Sequence, residues 1–216
     1  MSRIEHQTLN DRAYGEIRKG LITSRFRPGQ VLVIRTLAET YGISTTPVRE
    51  ALQRLVAERL LVLKSNRSIA VPELSADHFK ELVRIRCALE GMAAELAVTE
   101  IRPPHITKLK ILLGELEETV RDHDSRSYVH LNQKFHFTIY ERARSPRLLQ
   151  MVQDQWGQVG PFLNDLFEDE SFIAHANDQH AKIVDALERG RADEVRLAIV
   201  KDITVAGEAL APKLSA

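Results

Sequence analysis

Gly42-Ile43-Ser44-Thr45-Thr46-Pro47-Val48-Arg49-Glu50-Ala51-Leu52 is the stretch that decides the fold. Gly42 supplies a tight turn, because glycine enters left-handed backbone without steric cost. Ser44 is placed to cap a helix, and Pro47 falls in its first turn, where a missing N–H does no harm. Val48, Ala51, Leu52, Leu55 and Val56 then recur at helical spacing and predict one buried face. Upstream, Leu9, Ala13, Ile17 and Leu21 predict a helix over about Thr8 to Thr23, followed by a Pro28-Gly29 turn. A short helix over Ile34 to Tyr41 turns Leu37 and Ala38 inward. Downstream, Leu60–Leu63 and Ser68–Val71 read as two strands joined by Lys64-Ser65-Asn66-Arg67. Asn66 suits the tip, since asparagine tolerates positive φ. Helix, helix, tight turn, helix and hairpin, in that order, make a winged helix-turn-helix.

Such a fold offers the start of its third helix to the major groove of duplex DNA. Ser44, Thr45 and Thr46 are short polar side chains at that end, and the helix dipole there favours a phosphate. Arg49 lies one turn further on, within reach of a base or phosphate. Arg35, at the start of the second helix, is placed to hold the DNA backbone. Lys64 and Arg67 flank the hairpin tip, where a wing meets the minor groove or phosphates. Charge agrees: residues 1–71 carry 12 Lys+Arg against 6 Asp+Glu, a net of +6, within a chain of net charge 0. An excess of positive charge on one small unit points to a polyanion partner for that unit.

Arg27-Pro28-Gly29, Leu37-Ala38-Glu39, the run Thr46-Pro47-Val48-Arg49-Glu50-Ala51-Leu52 and Arg54-Leu55 resemble the GntR family of transcription regulators over about residues 8–71. The resemblance implies operator contacts from Arg35, Thr45, Thr46, Arg49 and the wing around Asn66. Thr45 stands where the family usually has arginine, and Asn66 where it usually has glycine. The contact at Thr45 is therefore expected to be weaker.

From Ser75 onward strand patterns are almost absent, and Ser75 reads as an N-cap. Helical stretches run over about 76–99, 104–122, 127–143, 146–169, 171–189 and 191–212, broken at Pro103-Pro104, Pro146 and Gly190. Short joints imply an antiparallel bundle of about six helices, so the chain is mainly α. Residues 1–71 are expected to form the DNA-binding unit, 72–75 a linker, and 76–216 a sensing and dimerisation unit.

Glu81-Leu82-Val83-Arg84-Ile85-Arg86-Cys87-Ala88-Leu89-Glu90, Asn132-Gln133-Lys134-Phe135-His136 and His180-Ala181-Lys182-Ile183-Val184-Asp185-Ala186-Leu187 resemble the FCD-type sensor of the FadR-like branch. That resemblance implies a metal held by an Asp and a His four residues apart plus two later His, with a small carboxylate as effector. Here Asn132 replaces the Asp and Asp202 the last His. The spacing itself is informative. Asn132 and His136 are i and i+4, on one helix face. His180 and Asp202 lie eleven residues either side of Arg191, level with each other if the helices fold back at Gly190. Two imidazoles and a carboxylate suit one divalent ion per chain, zinc, nickel or manganese, with positions open for ligand. Arg86 has two readings, a fork for the effector carboxylate or an ion pair with Glu90 one turn on. Asn132, His136, His180 and Arg86 are thus the expected effector contacts. Trp156 reads as core, and His78, His105, His123, His130 and His175 as surface or capping residues.

The function implied is a ligand-responsive repressor that binds operator DNA as a homodimer. No run of about 18 apolar residues predicts a membrane span, and the N-terminus lacks a secretory pattern. Cys87 is the single cysteine, which excludes an intrachain disulfide and reads as a buried small hydrophobe. A cytoplasmic protein is expected. The competing class is a metal-dependent hydrolase, because His123-Asp124 resembles the His-Asp pair of helical phosphohydrolases. That pair sits in a polar joint, HExxH, GxSxG and phosphate-cradling glycine loops are absent, and a hydrolase leaves residues 8–71 without a role. The chain is therefore not expected to be an enzyme.

Overall fold

A computed structural model describes residues 8–168, 172, 175 and 177–214. The N-terminal unit holds α1 (Leu9–Ile22), α2 (Ile34–Tyr41), α3 (Thr45–Ala57) and the antiparallel strands β1 (Val62–Leu63) and β2 (Ile69–Ala70), with Val62 opposite Ala70. Thr8 opens α1 with a reciprocal cap: its hydroxyl takes the Asp11 N–H at 3.1 Å and its own N–H reaches the Asp11 carboxylate at 3.2 Å. Gly42 turns the chain between α2 and α3 at φ 66°. Ile17, Leu21, Val48, Leu52, Leu55, Leu60 and Leu61 fill the core beneath.

The wing departs from expectation in three ways. The strands are shorter than Leu60–Leu63 and Ser68–Val71. Leu60 and Leu61 still bond back to the Leu55 carbonyl as the helix C-terminus unwinds, and both are buried in the core. Segment 29–32 adds a third edge: Val71 donates to Gln30 O at 2.9 Å, Leu32 to Ile69 O at 2.9 Å, and Val31 bridges Ala70. At the tip, Arg67 and not Asn66 takes positive φ, at 63°. Asn66 instead uses its side-chain oxygen to accept from Ser68 N and Ser68 Oγ at 3.0 and 2.6 Å, the local bond that makes asparagine a turn residue. Ser44 occupies the N-cap position of α3, but its hydroxyl makes no capping bond.

The C-terminal unit holds α4 (Ala76–Ala97), α5 (Pro103–Arg121), α6 (Ser125–Tyr140), α7 (Pro146–Val159), α8 (Asp178–Glu188) and α9 (Ala192–Leu210). Ser75 caps α4 at the His78 N–H. The helix expected over 146–169 tightens to 3₁₀ over Gly160–Glu168. Pro161 is the cause, since it has no N–H for the Gly157 carbonyl. Of the helix expected over 171–189, α8 begins at Asp178, and positions 169–171, 173, 174 and 176 lie outside the described residues. Helices α4 and α9 run antiparallel in close contact, Gly91 against Val200 and Gly207 against Val83. Phe79, Leu109, Leu116, Phe135, Trp156, Ile183 and Ile199 form the shared core. Cys87 is only half-buried, with Sγ 3.8 Å from Thr204 Oγ1.

The two units touch. Segment 72–75 is no free tether, because Leu74 and Ile22 both pack into the C-terminal core. Arg18 pairs with Asp154 and donates to Gln153 at 3.1 Å. Ser24 Oγ donates to the Gly160 carbonyl, and Asn164 returns a bond to Ser24 O at 3.1 Å.

Candidate functional site

Three helices converge on a small buried pocket. His136 comes from α6, His180 from α8 and Asp202 from α9. The two Nε2 atoms stand 3.3 Å apart. Asp202 Oδ2 is 3.3 Å from His136 Nε2, and Oδ1 is 3.5 Å from His180 Nε2. The helical hairpin expected around Gly190 thus brings His180 and Asp202 level. Asn132, one turn before His136, lines the same pocket.

Supporting bonds orient both rings. Asn177 Oδ1 faces His180 Nδ1 at 3.2 Å and accepts from the Tyr128 hydroxyl at 3.3 Å. Being an acceptor, it places the proton on Nδ1 and leaves the Nε2 lone pair pointing inward. Tyr140 plays the same part for His136, with its hydroxyl 3.2 Å from Nδ1. Tyr140 also bonds the Glu90 carboxylate, which only accepts, so its oxygen lone pair is what meets the His136 Nδ1–H. Burial pushes His180 down to about 4, against the Asp202 charge, so this imidazole is neutral. Burial also works against the Asp202 charge, but the two imidazoles and the Arg86 guanidinium hold its carboxyl below the ordinary value. The two Nε2 atoms and the Asp202 carboxylate thus face one point.

That donor set fits a metal. Ligand atoms about 2.05 Å from a tetrahedral ion lie about 3.3 Å from one another, close to the three separations above. The His rings have the outer-shell partners that ligating His require. Three residues without an expected role, Tyr128, Tyr140 and Asn177, do this supporting work, with Glu90 behind Tyr140. Their signals were present: Tyr140 is i+4 from His136, and Asn177 is i−3 from His180.

Arg86 makes the ion pair and also lines the pocket. Its Nε donates to Glu90 Oε1 at 2.6 Å and Nη2 to Oε2 at 3.4 Å, with Glu90 wholly inaccessible and Arg86 nearly so. Burial opposes the Arg86 charge, but Glu90 outweighs it and raises the pKa further. Trp156 Nε1 donates to Glu90 Oε2 at 2.8 Å, and Arg86 Cζ lies 5.0 Å from the Trp156 ring centroid. Trp156 is core, as expected, yet it also lines the pocket. Free volume there is about 30 Å³.

The expected DNA contacts, Arg35, Ser44, Thr45, Thr46, Arg49, Lys64, Asn66 and Arg67, are all solvent-facing. Arg35 pairs with Glu39 at 3.2 Å. His123 is an exposed joint residue at φ 54°, and Asp124 caps α6 by accepting from Ser127 N at 3.0 Å. That pair forms no metal cluster among the described residues.

Residues 9–71 match the gntR family of bacterial regulatory proteins, and residues 81–204 match the FCD domain. The chain belongs to the GntR family and carries an FCD sensor. HTH-type transcriptional regulator McbR of Escherichia coli (strain K12) is 34% identical over 77% of this chain and 75% of its own length. The solved structure of E. coli McbR/YncC superposes with a TM-score of 0.88 at 29% identity, covering 95% of this chain and 98% of that one. A probable D-xylose utilization operon transcriptional repressor of Paenarthrobacter nicotinovorans is 30% identical, over 71% of this chain and 67% of its own. This GntR/FCD protein is a ligand-responsive transcription regulator, not an enzyme. No helix among the described residues is long and apolar enough to cross a membrane.

Proposed function

We propose that this GntR/FCD protein is a cytoplasmic homodimeric repressor. Its winged units read operator half-sites, and its pocket takes a small carboxylate through a divalent metal. The units are residues 1–71 and 76–216, with 72–75 between. Thr45, Thr46 and Arg49 face base edges from the start of α3. Arg35 and Ser44 hold the backbone, and Lys64, Asn66 and Arg67 engage it from the wing.

The observation that carries the sensing half is the convergence of His136, His180 and Asp202 within 4.8 Å of one another. With Asn132 as a neutral oxygen donor, these side chains would hold zinc, nickel or manganese. The ion, when bound, polarises and anchors a carboxylate. Arg86, although paired with Glu90, lines the same pocket. For pairing, α4 presents Ile85, Met92 and Leu96 on one face, 38, 48 and 46% exposed. A second copy covering that stripe sets two winged units over a near-palindrome.

Elemental mass spectrometry of untagged protein tests the reading. About one transition metal per chain is expected, lost in His136→Ala and His180→Ala. Absence of metal after incubation with zinc, nickel and manganese would refute the metal centre.

A further inference from the structure

Helix α7 has two working faces one residue apart. Trp156 points into the pocket, where its indole N–H holds Glu90 and its ring lies 5.6 Å from that of His136. Gly157 points the other way, against the winged unit. A Cβ there would stand 2.8 Å from Leu60 Cδ2. Three residues on, a Cβ at Gly160 would stand 2.8 Å from Ile22 O and overlap Leu21 O. Backbone thus lies on backbone, with no flexible side chain between to absorb a shift. Arg18–Asp154 and the Ser24–Gly160–Asn164 bonds fasten the same contact.

The pocket's size makes this contact consequential. Pockets that take metabolites hold about 300 Å³ or more, whereas this one has about 30 Å³ free. That suffices for an ion and little else. Any larger effector must push lining atoms outward. Trp156, Leu163 and Leu166 are three of those linings, and they belong to the run 156–166 that also contains Gly157, Gly160 and Asn164.

We infer that this run is the coupling element of the regulator: enlarging the pocket displaces it and loosens its grip on α1 and Ser24. Trp156 acts as a positioning residue for the winged unit, and Arg18 is the matching contact across the junction. The inference rests on reading the pocket as the effector site, but not on the identity of its ligand.

Hydrogen exchange of the full chain, read by mass spectrometry, tests it. The reporters are the Thr23, Ser24 and Arg25 amides, bonded to Lys19, Leu21 and Gly20 carbonyls at 3.0, 3.3 and 2.8 Å. The pocket is perturbed by Trp156→Phe and, separately, by saturating the parent with zinc ion alone. Exchange at these amides is expected to rise about threefold or more in Trp156→Phe and to fall with zinc, while α2 amides stay unchanged. By reciprocity, Arg18→Ala should shift the emission of Trp156, the chain's single tryptophan. Unchanged exchange in a folded Trp156→Phe protein, or in a parent that has taken up zinc, overturns the coupling. Failure to take up zinc, with the Trp156→Phe effect present, sinks the metal reading and leaves the coupling standing.

Discussion

Glu90→Gln is the substitution whose cost the structure defines best. The Glu90 side chain is wholly inaccessible and receives two bonds from Arg86, one from Trp156 and one from Tyr140. Every group facing it is a donor. Glutamine keeps the volume but offers one oxygen, and it turns an N–H₂ toward Arg86 or Trp156, which cannot accept. Arg86, itself buried, loses its bonded counter-charge and keeps only the weaker influence of Asp202. Removing one partner of a buried pair costs about 3–5 kcal/mol. For a chain of this length about 2–4 °C of Tm follows each kcal/mol, so thermal unfolding should begin about 6–20 °C lower. Circular dichroism and Trp156 emission both report the transition. Adding Arg86→Met to Glu90→Gln removes the stranded cation and should raise Tm again, a sign reversal that simple loss of packing does not give. A Tm within about 2 °C of the parent, or further loss in the double variant, would show that Glu90 does not close this network. Arg86 would then again be available to an effector carboxylate.

Three further outcomes follow from the geometry. Arg49→Ala should weaken operator binding about 5- to 150-fold without changing Tm, measured by anisotropy on a DNA site selected by the parent protein. Lys64→Ala should weaken all DNA sequences alike and lower the slope of log affinity against log salt by about 1. Tyr14 gives a pH dependence: burial, aided by its 2.6 Å bond to Glu58, raises its phenol to about 12, while Arg18 and Arg54 pull the other way. The unfolded chain releases that proton near 10, so this contribution to stability is full below pH 10 and is lost as pH rises toward 12. Tyr14→Phe should flatten that limb of the stability profile, and a profile unchanged by the substitution would disprove the assignment.

Much of this fold was legible because it is written in local spacing. The inward residues of α1 and α3, apart from Leu9, which is 49% exposed, the Gly42 turn, the Ser75 cap and the six described helices of the sensor all follow from neighbours within about one or two turns. The hairpin at Gly190 was legible for the same reason, and with it the meeting of His180 and Asp202. What local spacing does not contain is pairing at a distance. The third edge of the wing depends on Gln30 and Leu32 meeting Val71 and Ile69. Asn66 has two ways to make a turn, and only the folded hairpin selects the side-chain bond over positive φ. Gly160-Pro161 announced a break, but a helix-wide apolar pattern masked it. The Arg86 alternatives needed the fold to decide, because Trp156 and Tyr140, which complete the Glu90 network, come from two other helices. The junction was not legible at all: Arg18 and Asp154 are 136 residues apart, each unremarkable on its own helix.

The junction's energetics say where the coupling resides. Allosteric coupling between two sites is commonly about 1–3 kcal/mol. The Arg18–Asp154 pair is partly open to solvent, 12 and 37% exposed, and such pairs contribute about 0–1 kcal/mol. The pair is therefore too weak to transmit the whole effect, and Arg18→Ala should reduce the response without abolishing it. The stiffer part is the glycine contact, where Gly160, at the start of the 3₁₀ turn, presses backbone against Leu21 and Ile22. Close-packed backbone does not yield gradually: a small displacement either breaks contacts or overlaps them. On the proposed reading, a pocket smaller than its effector, joined by such a contact to the winged unit, releases that contact rather than bending it, and that is what a repressor requires of its sensor.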